Sequence, residues 1–269
     1  MEGSCPLFGG ERRPFCASCL AVGGEDNEAM MDACIKALSQ AEPWERSELR
    51  AILDRAISMG KMRRLSEQQK ANLASLLDSN VDLVEYENDL ARLLGNAYAF
   101  LGFNARAMEA FEIALHRDEG DVTALNNKAV LLARTGREDE AIECYREVTK
   151  LDPENENAWF NMGKAYSRLK RSMKAKKCFR KVVRMNPDNV SAWNNLGVSL
   201  RSTGKTKEAM GCYDAALKVN PEYKWAWNNK GIAHMILREY KKAARSFQKA
   251  LEIDPDFKEA RDGLEACGE

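Results

Sequence analysis

Residues 156–189 read ENAWFNMGKAYSRLKRSMKAKKCFRKVVRMNPDN, and residues 190–223 read VSAWNNLGVSLRSTGKTKEAMGCYDAALKVNPEY. The two stretches have the same length, and a tryptophan, a glycine, an alanine, an aromatic residue and a proline occupy the same places in both. The tryptophan recurs every 34 residues, at Trp159, Trp193 and Trp227. A period of 34 residues is typical of a helix–turn–helix unit that stacks into a solenoid.

The pattern extends over five consecutive blocks, and a position is counted from the first residue of each block. The blocks are 88–121, 122–155, 156–189, 190–223 and 224–257. Small residues at positions 8 and 20 allow two antiparallel helices to approach closely, and large residues at positions 4 and 24 fill the space between units. Proline at position 32, present in four of the five blocks, ends the second helix.

Position 15 is predicted to end the first helix of each unit, where a left-handed backbone is favoured. Three blocks have glycine there, at Gly102, Gly136 and Gly204. The other two blocks have Lys170 and Arg238, so their turns are predicted to be less sharply defined.

The five blocks resemble the tetratricopeptide repeat (TPR) family, and the resemblance covers 170 of the 269 residues. It implies an all-α fold, a right-handed helix–turn–helix solenoid of five TPR units with an N-terminal helical module. Residues 258–269 are predicted to form a C-terminal capping helix, since a solenoid needs a polar end. Residues 27–87 are predicted to be a non-repeat helical module, which either caps the other end or mediates a separate interaction.

The TPR resemblance also implies a concave groove, lined by the first helix of each unit, that holds an extended peptide or a partner segment. Position 6 is expected to face this groove, and four blocks have asparagine there. These residues are Asn127, Asn161, Asn195 and Asn229. One amide can donate to a backbone carbonyl and accept from a backbone N–H. The row therefore predicts a ladder that binds a peptide main chain, similar to the asparagine ladder of O-linked N-acetylglucosamine transferases.

The groove residues do not identify one class of ligand. Asparagine at position 6 is common in TPR sequences, so the alternative to a ladder is a polar groove residue without a dedicated ligand. Lys164 and Arg168 share one face of a helix at i,i+4 spacing and are predicted to line the same groove. The two-carboxylate clamp of some TPR domains is disfavoured, because the basic residues it requires stand at other positions.

A basic stretch from Lys164 to Arg184 contains ten basic residues and no acidic one. Its outer part, named here the basic patch, comprises Lys174, Lys176, Lys177, Arg180, Lys181 and Arg184. One interpretation is a surface for an acidic protein or RNA, which makes the chain a regulator. The other is a solvated face neutralised by carboxylates of the preceding unit, namely Glu138, Asp139, Glu143 and Glu147. RNA is the less favoured ligand, since the exposed positions lack aromatic residues that stack on bases.

The cysteines form two groups. Cys16 and Cys19 in the N-terminal segment 1–26 make a CxxC, which places two thiolates on one turn as a metal site requires. Cys5 and Cys34 would complete a four-thiolate metal knuckle, with zinc favoured over an iron–sulfur cluster. An unliganded segment and a redox CxxC are the alternatives.

The second group recurs at position 23 and consists of Cys144, Cys178 and Cys212. Equivalent positions on packed helices stand roughly 8–10 Å apart. A disulfide requires Cα atoms within about 7 Å. These cysteines are therefore predicted to be buried small residues with free thiols.

Composition limits the remaining classes of function. The 41 basic and 41 acidic residues balance, which argues against a protein that coats nucleic acid. No run of about 18 apolar residues and no secretory signal is visible, so a cytoplasmic protein without a membrane span is predicted. No nucleophile–base pair, paired carboxylates or phosphate-binding loop indicates an enzyme. The sequence thus predicts a non-catalytic scaffold or adaptor, and no feature of it indicates an oligomeric state.

Overall fold

The computed structural model describes residues 67, 68, 71 and 88–268. Eleven α-helices lie between Asn88 and Glu265, and no strand occurs within the described residues. The predicted all-α class is confirmed. The chain divides into two compact units between Leu131 and Leu132, and each is described by itself.

The described part of the first unit contains α1 (Asn88–Leu101), α2 (Asn104–Arg117) and most of α3 (Val122–Arg134). Phe111 on α2 is fully buried beside Gly95 of α1. A Cβ atom on Gly95 would lie 2.5 Å from Cε1 of Phe111, so only glycine permits this approach. Asp121 begins α3, because its Oδ1 accepts hydrogen bonds from the backbone N–H groups of Thr123 and Ala124, both at 2.9 Å.

The second unit contains the end of α3 and eight further helices. They are α4 (Glu138–Leu151), α5 (Glu156–Arg168), α6 (Ser172–Met185), α7 (Val190–Ser202), α8 (Thr206–Val219), α9 (Lys224–Ile236), α10 (Tyr240–Ile253) and α11 (Lys258–Glu265). Within three repeats the first helix packs against the second, as α5 with α6, α7 with α8 and α9 with α10. Each second helix then packs against the first helix of the next repeat, and α10 packs against α11.

In the third, fourth and fifth repeats, the core is an aromatic ring packed against a glycine. Each ring at position 24 is fully buried, and a Cβ atom on the facing glycine would lie within 2.8 Å of it. The pairs are Gly163–Phe179, Gly197–Tyr213 and Gly231–Phe247. The close approach that the small residue at position 8 predicts is therefore confirmed for these three repeats.

A hydrogen bond explains why tryptophan and proline recur together. Each indole Nε1–H donates to the carbonyl oxygen of the proline six residues earlier. The pairs are Trp159–Pro153 at 2.9 Å, Trp193–Pro187 at 2.7 Å and Trp227–Pro221 at 2.8 Å. The bond fixes the turn between repeats to the helix that follows it, so both residues must recur with the same period.

The turns at position 15 depart from the prediction. Lys170 and Arg238 have φ of +56° and +61°, in the same left-handed region as Gly102, Gly136 and Gly204. The prediction of a less defined turn at these two positions is wrong, because packing of the two helices imposes the left-handed residue. A side chain in that region costs roughly 1–2 kcal/mol, which the surrounding repeat offsets.

The three repeat cysteines form no disulfide with one another, as predicted. Cys178 and Cys212 are buried, whereas Cys144 is only half-buried. Burial raises the pKa of Cys178 to about 12 and that of Cys212 to about 11, so both thiols stay protonated and unreactive at neutral pH.

Several predictions fall on other parts of the chain. Cys5, Cys16, Cys19 and Cys34 lie outside the described residues, as does the module at 27–87 apart from residues 67, 68 and 71.

Candidate functional site

The first helices of successive repeats share one surface in the second unit. α7 contacts α9, and α9 contacts α11, so the side chains along these contacts lie on the same side of the unit. We name the outward-facing residues of α5, α7 and α9 the first-helix surface. It includes Asn161, Asn195 and Asn229, which are all half-buried and thus accessible to a ligand.

Two of these asparagines have unused hydrogen-bonding groups. Asn161 has no hydrogen-bond partner among the residues that the structure describes. Asn195 donates from Nδ2 to the carbonyl oxygen of Ser191 at 2.9 Å, one turn earlier on the same helix. Its Oδ1 accepts no bond from any described residue. These amides are available for a ligand.

Asn229 is engaged at both ends of its amide. Its Nδ2 donates to Oδ1 of Asn194 at 3.0 Å, and its Oδ1 accepts from Nη2 of Arg201 at 3.4 Å. In the first unit, Asn127 donates to Oδ1 of Asn96 at 2.9 Å. The four asparagines of the predicted row therefore differ in the groups that they offer to a ligand.

Both basic residues predicted for the groove lie on α5 and are exposed. The Lys164 ammonium stands 5.8 Å from the centre of the Phe160 ring. Arg168 donates from Nη1 to the carbonyl oxygen of Ala133 at 2.9 Å and lies 3.7 Å from a carboxylate oxygen of Glu138. Lys164 thus has a ring contact alone, whereas Arg168 is held by two neighbours.

The first-helix surface is positively charged. After Glu156, the helices α5, α7 and α9 contain no aspartate or glutamate. They contain Lys164, Arg168, Arg201 and Lys230, besides Lys224 at the start of α9. Lys230 pairs with Asp214 of α8 at 2.6 Å. The surface therefore favours a ligand that is neutral or acidic.

The basic patch is partly neutralised. Lys181 pairs with Glu154 at 2.6 Å, and the neighbouring Arg171 pairs with Asp139 at 2.5 Å. Lys176 is only 9% exposed, with its Nζ 3.6 Å from the sulfur of Met173. Lys174 lies over the ring of Tyr166, with 5.5 Å between its Nζ and the ring centre. Within the basic patch, Lys177, Arg180 and Arg184 are exposed cations without an ion-pair partner among the described residues.

The carboxylates of the preceding repeat neutralise the basic stretch only in part. Glu138 and Asp139 do face arginines of the basic stretch. Glu143 and Glu147 instead pair with Arg146 and Lys150 of their own helix, at 2.8 and 2.6 Å. The patch thus retains net positive charge on α6.

Sequence reasoning missed Arg201, which bonds to Asn229, and Asn194, which bonds to the same asparagine. Position 12 holds Arg201 in the fourth block but alanine, serine or methionine in the others, and this departure was the available signal. His234 was also missed: it is buried, and its Nδ1 lies 2.6 Å from Oε2 of Glu239. Hydrogen bonds from Lys242 and His234 lower the pKa of Glu239.

Family models for the tetratricopeptide repeat match residues 156–189, 190–223 and 225–257, and a further TPR model matches residues 131–170. The chain is a tetratricopeptide repeat protein. The family predicted from the sequence is thereby confirmed, as is the all-α TPR fold. Because TPR units present extended binding surfaces, the family supports a protein-interaction scaffold. No described helix has the length and apolarity needed to cross a membrane.

Solved structures of TPR proteins share the fold. YrrB, described as a TPR protein with an unusual peptide-binding site, superposes with a TM-score of 0.62 at 19% identity, over 71% of this chain and 99% of its own. MamA superposes with a TM-score of 0.58 at 22% identity, over 60% of this chain and 95% of its own. The structure of MamA from Desulfovibrio magneticus RS-1, from residue 41 to its end, superposes with a TM-score of 0.60 at 20% identity. The match covers 63% of this chain and 96% of that one. No curated protein sequence matches the chain.

Proposed function

We propose that this TPR protein is a non-catalytic scaffold or adaptor that holds an extended peptide segment on its first-helix surface. The observation that carries the proposal is the pair of accessible amides at Asn161 and Asn195, which occupy the same position of successive repeats and retain unused hydrogen-bonding groups. YrrB supports it, as a protein of the same fold that is described with a peptide-binding site.

The chemistry of the two amides suits a peptide main chain. Asn161 offers both a donor and an acceptor, and Asn195 offers its Oδ1 to a backbone N–H. An extended peptide repeats its N–H and C=O groups along its length, so amides on successive repeats bind it with little regard to its side chains. The Lys164 ammonium adds affinity for peptides with acidic residues.

Replacing both Asn161 and Asn195 by alanine is expected to weaken peptide binding about tenfold, since each hydrogen bond contributes about 0.5–1.5 kcal/mol. The probe is a fluorescent peptide selected on the full-length protein from a random 12-residue library, and anisotropy measures its dissociation constant. The control is Gln248→Ala, which removes an exposed amide from the second helix α10.

The ladder is tested further by N-methylation of single backbone amides in the selected peptide. We expect at least one N-methyl group to reproduce the loss caused by the double variant. Equal affinity of the double variant and the wild type, with unchanged helical circular dichroism, would contradict a role for these amides.

The alternative function, a regulator that binds an acidic partner or RNA through the basic stretch, is favoured by the unpaired cations of α6. Lys177 and Arg180 are exposed there without an ion-pair partner in the described part of the chain. Neighbouring ion pairs and the burial of Lys176 reduce the area that such a partner would meet, so this alternative ranks second.

Changing Lys177 and Arg180 to glutamate is expected to weaken retention on polyuridylate or polyglutamate at low salt if the alternative holds. For polyuridylate, the slope of log affinity against log salt would fall by roughly 1.4, about 0.7 for each phosphate that the variant no longer binds. The matched control is the Lys241→Glu and Arg245→Glu variant, which reverses two exposed charges on α10. No retention of the wild type on either polymer at about 50 mM salt, or equal losses in both variants, rejects the alternative.

The N-terminal zinc knuckle and the cytoplasmic location stay predictions from the sequence. The metal content of the purified full chain tests the ligand set Cys5, Cys16, Cys19 and Cys34. Imaging of the tagged chain in cells tests the location.

A further inference from the structure

Arg201 is a cation of the first-helix surface without a carboxylate partner. It lies in the last turn of α7, is half-buried, and forms no ion pair with any described residue. Its Nε is buried and has no hydrogen-bond partner in the part of the chain that the structure describes, and the hydrogen bond from its Nη2 to Asn229 is long at 3.4 Å. An arginine withdrawn from water without a carboxylate has unsatisfied donors, which is an unfavourable state for a guanidinium.

Neighbouring residues hold Arg201 in place and do not neutralise it. Asn229 bridges the two helices, since it accepts from Arg201 and donates to Asn194, which is itself buried. Burial raises the pKa of Tyr213, and the charge of the nearby Arg201 opposes part of that rise. The polar groups here are amides and a hydroxyl, none of which carries negative charge.

The charge around Arg201 selects the ligand. No acidic residue follows Glu156 on α5, and none occurs on α7 or α9, so no carboxylate of the first-helix surface competes for the guanidinium. The helix of Arg201, α7, stands between α5 and α9 in the order of the first helices. A peptide that extends along all three helices therefore meets Arg201 within its length and not at its terminus.

We propose that Arg201 is the specificity-determining contact of the peptide site, and that it binds the carboxylate of an aspartate or glutamate inside an extended peptide. The inference rests on the proposed function, because the peptide must first lie on the first-helix surface. Asn229 acts as a positioning residue that keeps the guanidinium turned towards the ligand. The contact is a charge-assisted hydrogen bond, which is stronger than a bond between neutral groups.

The experiment uses the full chain and peptides selected on it from a random 12-residue library. Peptides selected on the wild type are expected to share one acidic residue. Changing that residue to its amide, Asp→Asn or Glu→Gln, should weaken binding to the wild type about 10- to 100-fold. The same peptide change should alter affinity for the Arg201→Gln protein less than twofold. Free-acid and amidated forms of each peptide should bind equally, since the carboxylate is internal.

Matched variants separate the charge of Arg201 from its structural role. Arg245→Gln removes an exposed arginine of α10 and should retain the wild-type preference for the acidic peptide. Arg201→Lys keeps the charge but loses the planar donors, so part of the preference should remain. The peptide change on the wild type gives a result even if Arg201→Gln fails to fold.

The outcomes distinguish this inference from the proposed function. If the library yields no binder, both are overturned. If peptides bind through Asn161 and Asn195 but share no acidic residue, or if the acidic-to-amide change costs the same in Arg201→Gln as in the wild type, the role of Arg201 alone is overturned. If the preference for acidic peptides disappears when the peptide C-terminus is amidated, Arg201 binds the terminal carboxylate, and the proposal of an internal carboxylate is overturned.

Discussion

Replacing Phe247 by alanine is expected to lower the free energy of unfolding by about 3–5 kcal/mol. The Phe247 side chain on α10 is fully buried, and two glycines lie against its ring, Gly231 on α9 and Gly263 on α11. A Cβ atom on either glycine would lie 2.6 Å from the ring. Neither glycine has a side chain that could fill the space that the ring leaves.

The measurement is urea unfolding of the full chain, followed by helical circular dichroism. Tyr240→Ala is the control, since Tyr240 lies on the same helix with 48% of its surface exposed and its loss should change stability by less than about 0.5 kcal/mol. A separate early transition would show that α11 and the last repeat unfold before the rest, as expected of a solenoid whose units contact only their neighbours. A loss below about 1 kcal/mol contradicts the packing described for Phe247.

The sequence predicted the fold because the same few physical constraints recur across the repeats. Glycine at position 8, the aromatic residue at position 24, and the tryptophan with its proline are each required by a contact that the structure contains. Five copies of one pattern distinguish such requirements from chance. The left-handed turns at Lys170 and Arg238 were mispredicted, because the residue at position 15 does not determine the backbone there. Helix packing determines it, and the residue only changes the free energy that the left-handed conformation costs.

The candidate site was less predictable, because it depends on how repeats differ. The sequence shows asparagine at position 6 in four blocks, but it does not show that Asn229 bonds to Asn194 and Arg201 while Asn161 stays unpartnered among the described residues. The bond to Asn194 depends on position 5 of the preceding repeat, and for Asn195 that position holds Phe160 in place of an asparagine. Arg201 departs from the repeat pattern, and a search for recurring residues passes over it.

Replacing Gly197 by leucine is expected to lower the free energy of unfolding by about 3 kcal/mol, at the upper end of the usual cost of overpacking. A Cβ atom on Gly197 of α7 would lie 2.4 Å from Cε1 of Tyr213, and 2.8 and 2.9 Å from two further ring atoms. The Tyr213 ring is fully buried, so it must shift into its own neighbours. Leucine adds three carbon atoms beyond the Cβ, at a contact that has no room for the Cβ itself.

The chain has its own matched control for this change at Gly211. Gly211 lies inside α8, is exposed, and has no atom within 4 Å of where its Cβ would be. Leucine there should raise the free energy of unfolding by about 0.5–1 kcal/mol, because glycine is a poor helix former. The same substitution thus changes stability in opposite directions at two glycines in neighbouring helices. If both variants gain stability in urea unfolding, the two helices are not packed as closely as Gly197 and Tyr213 require.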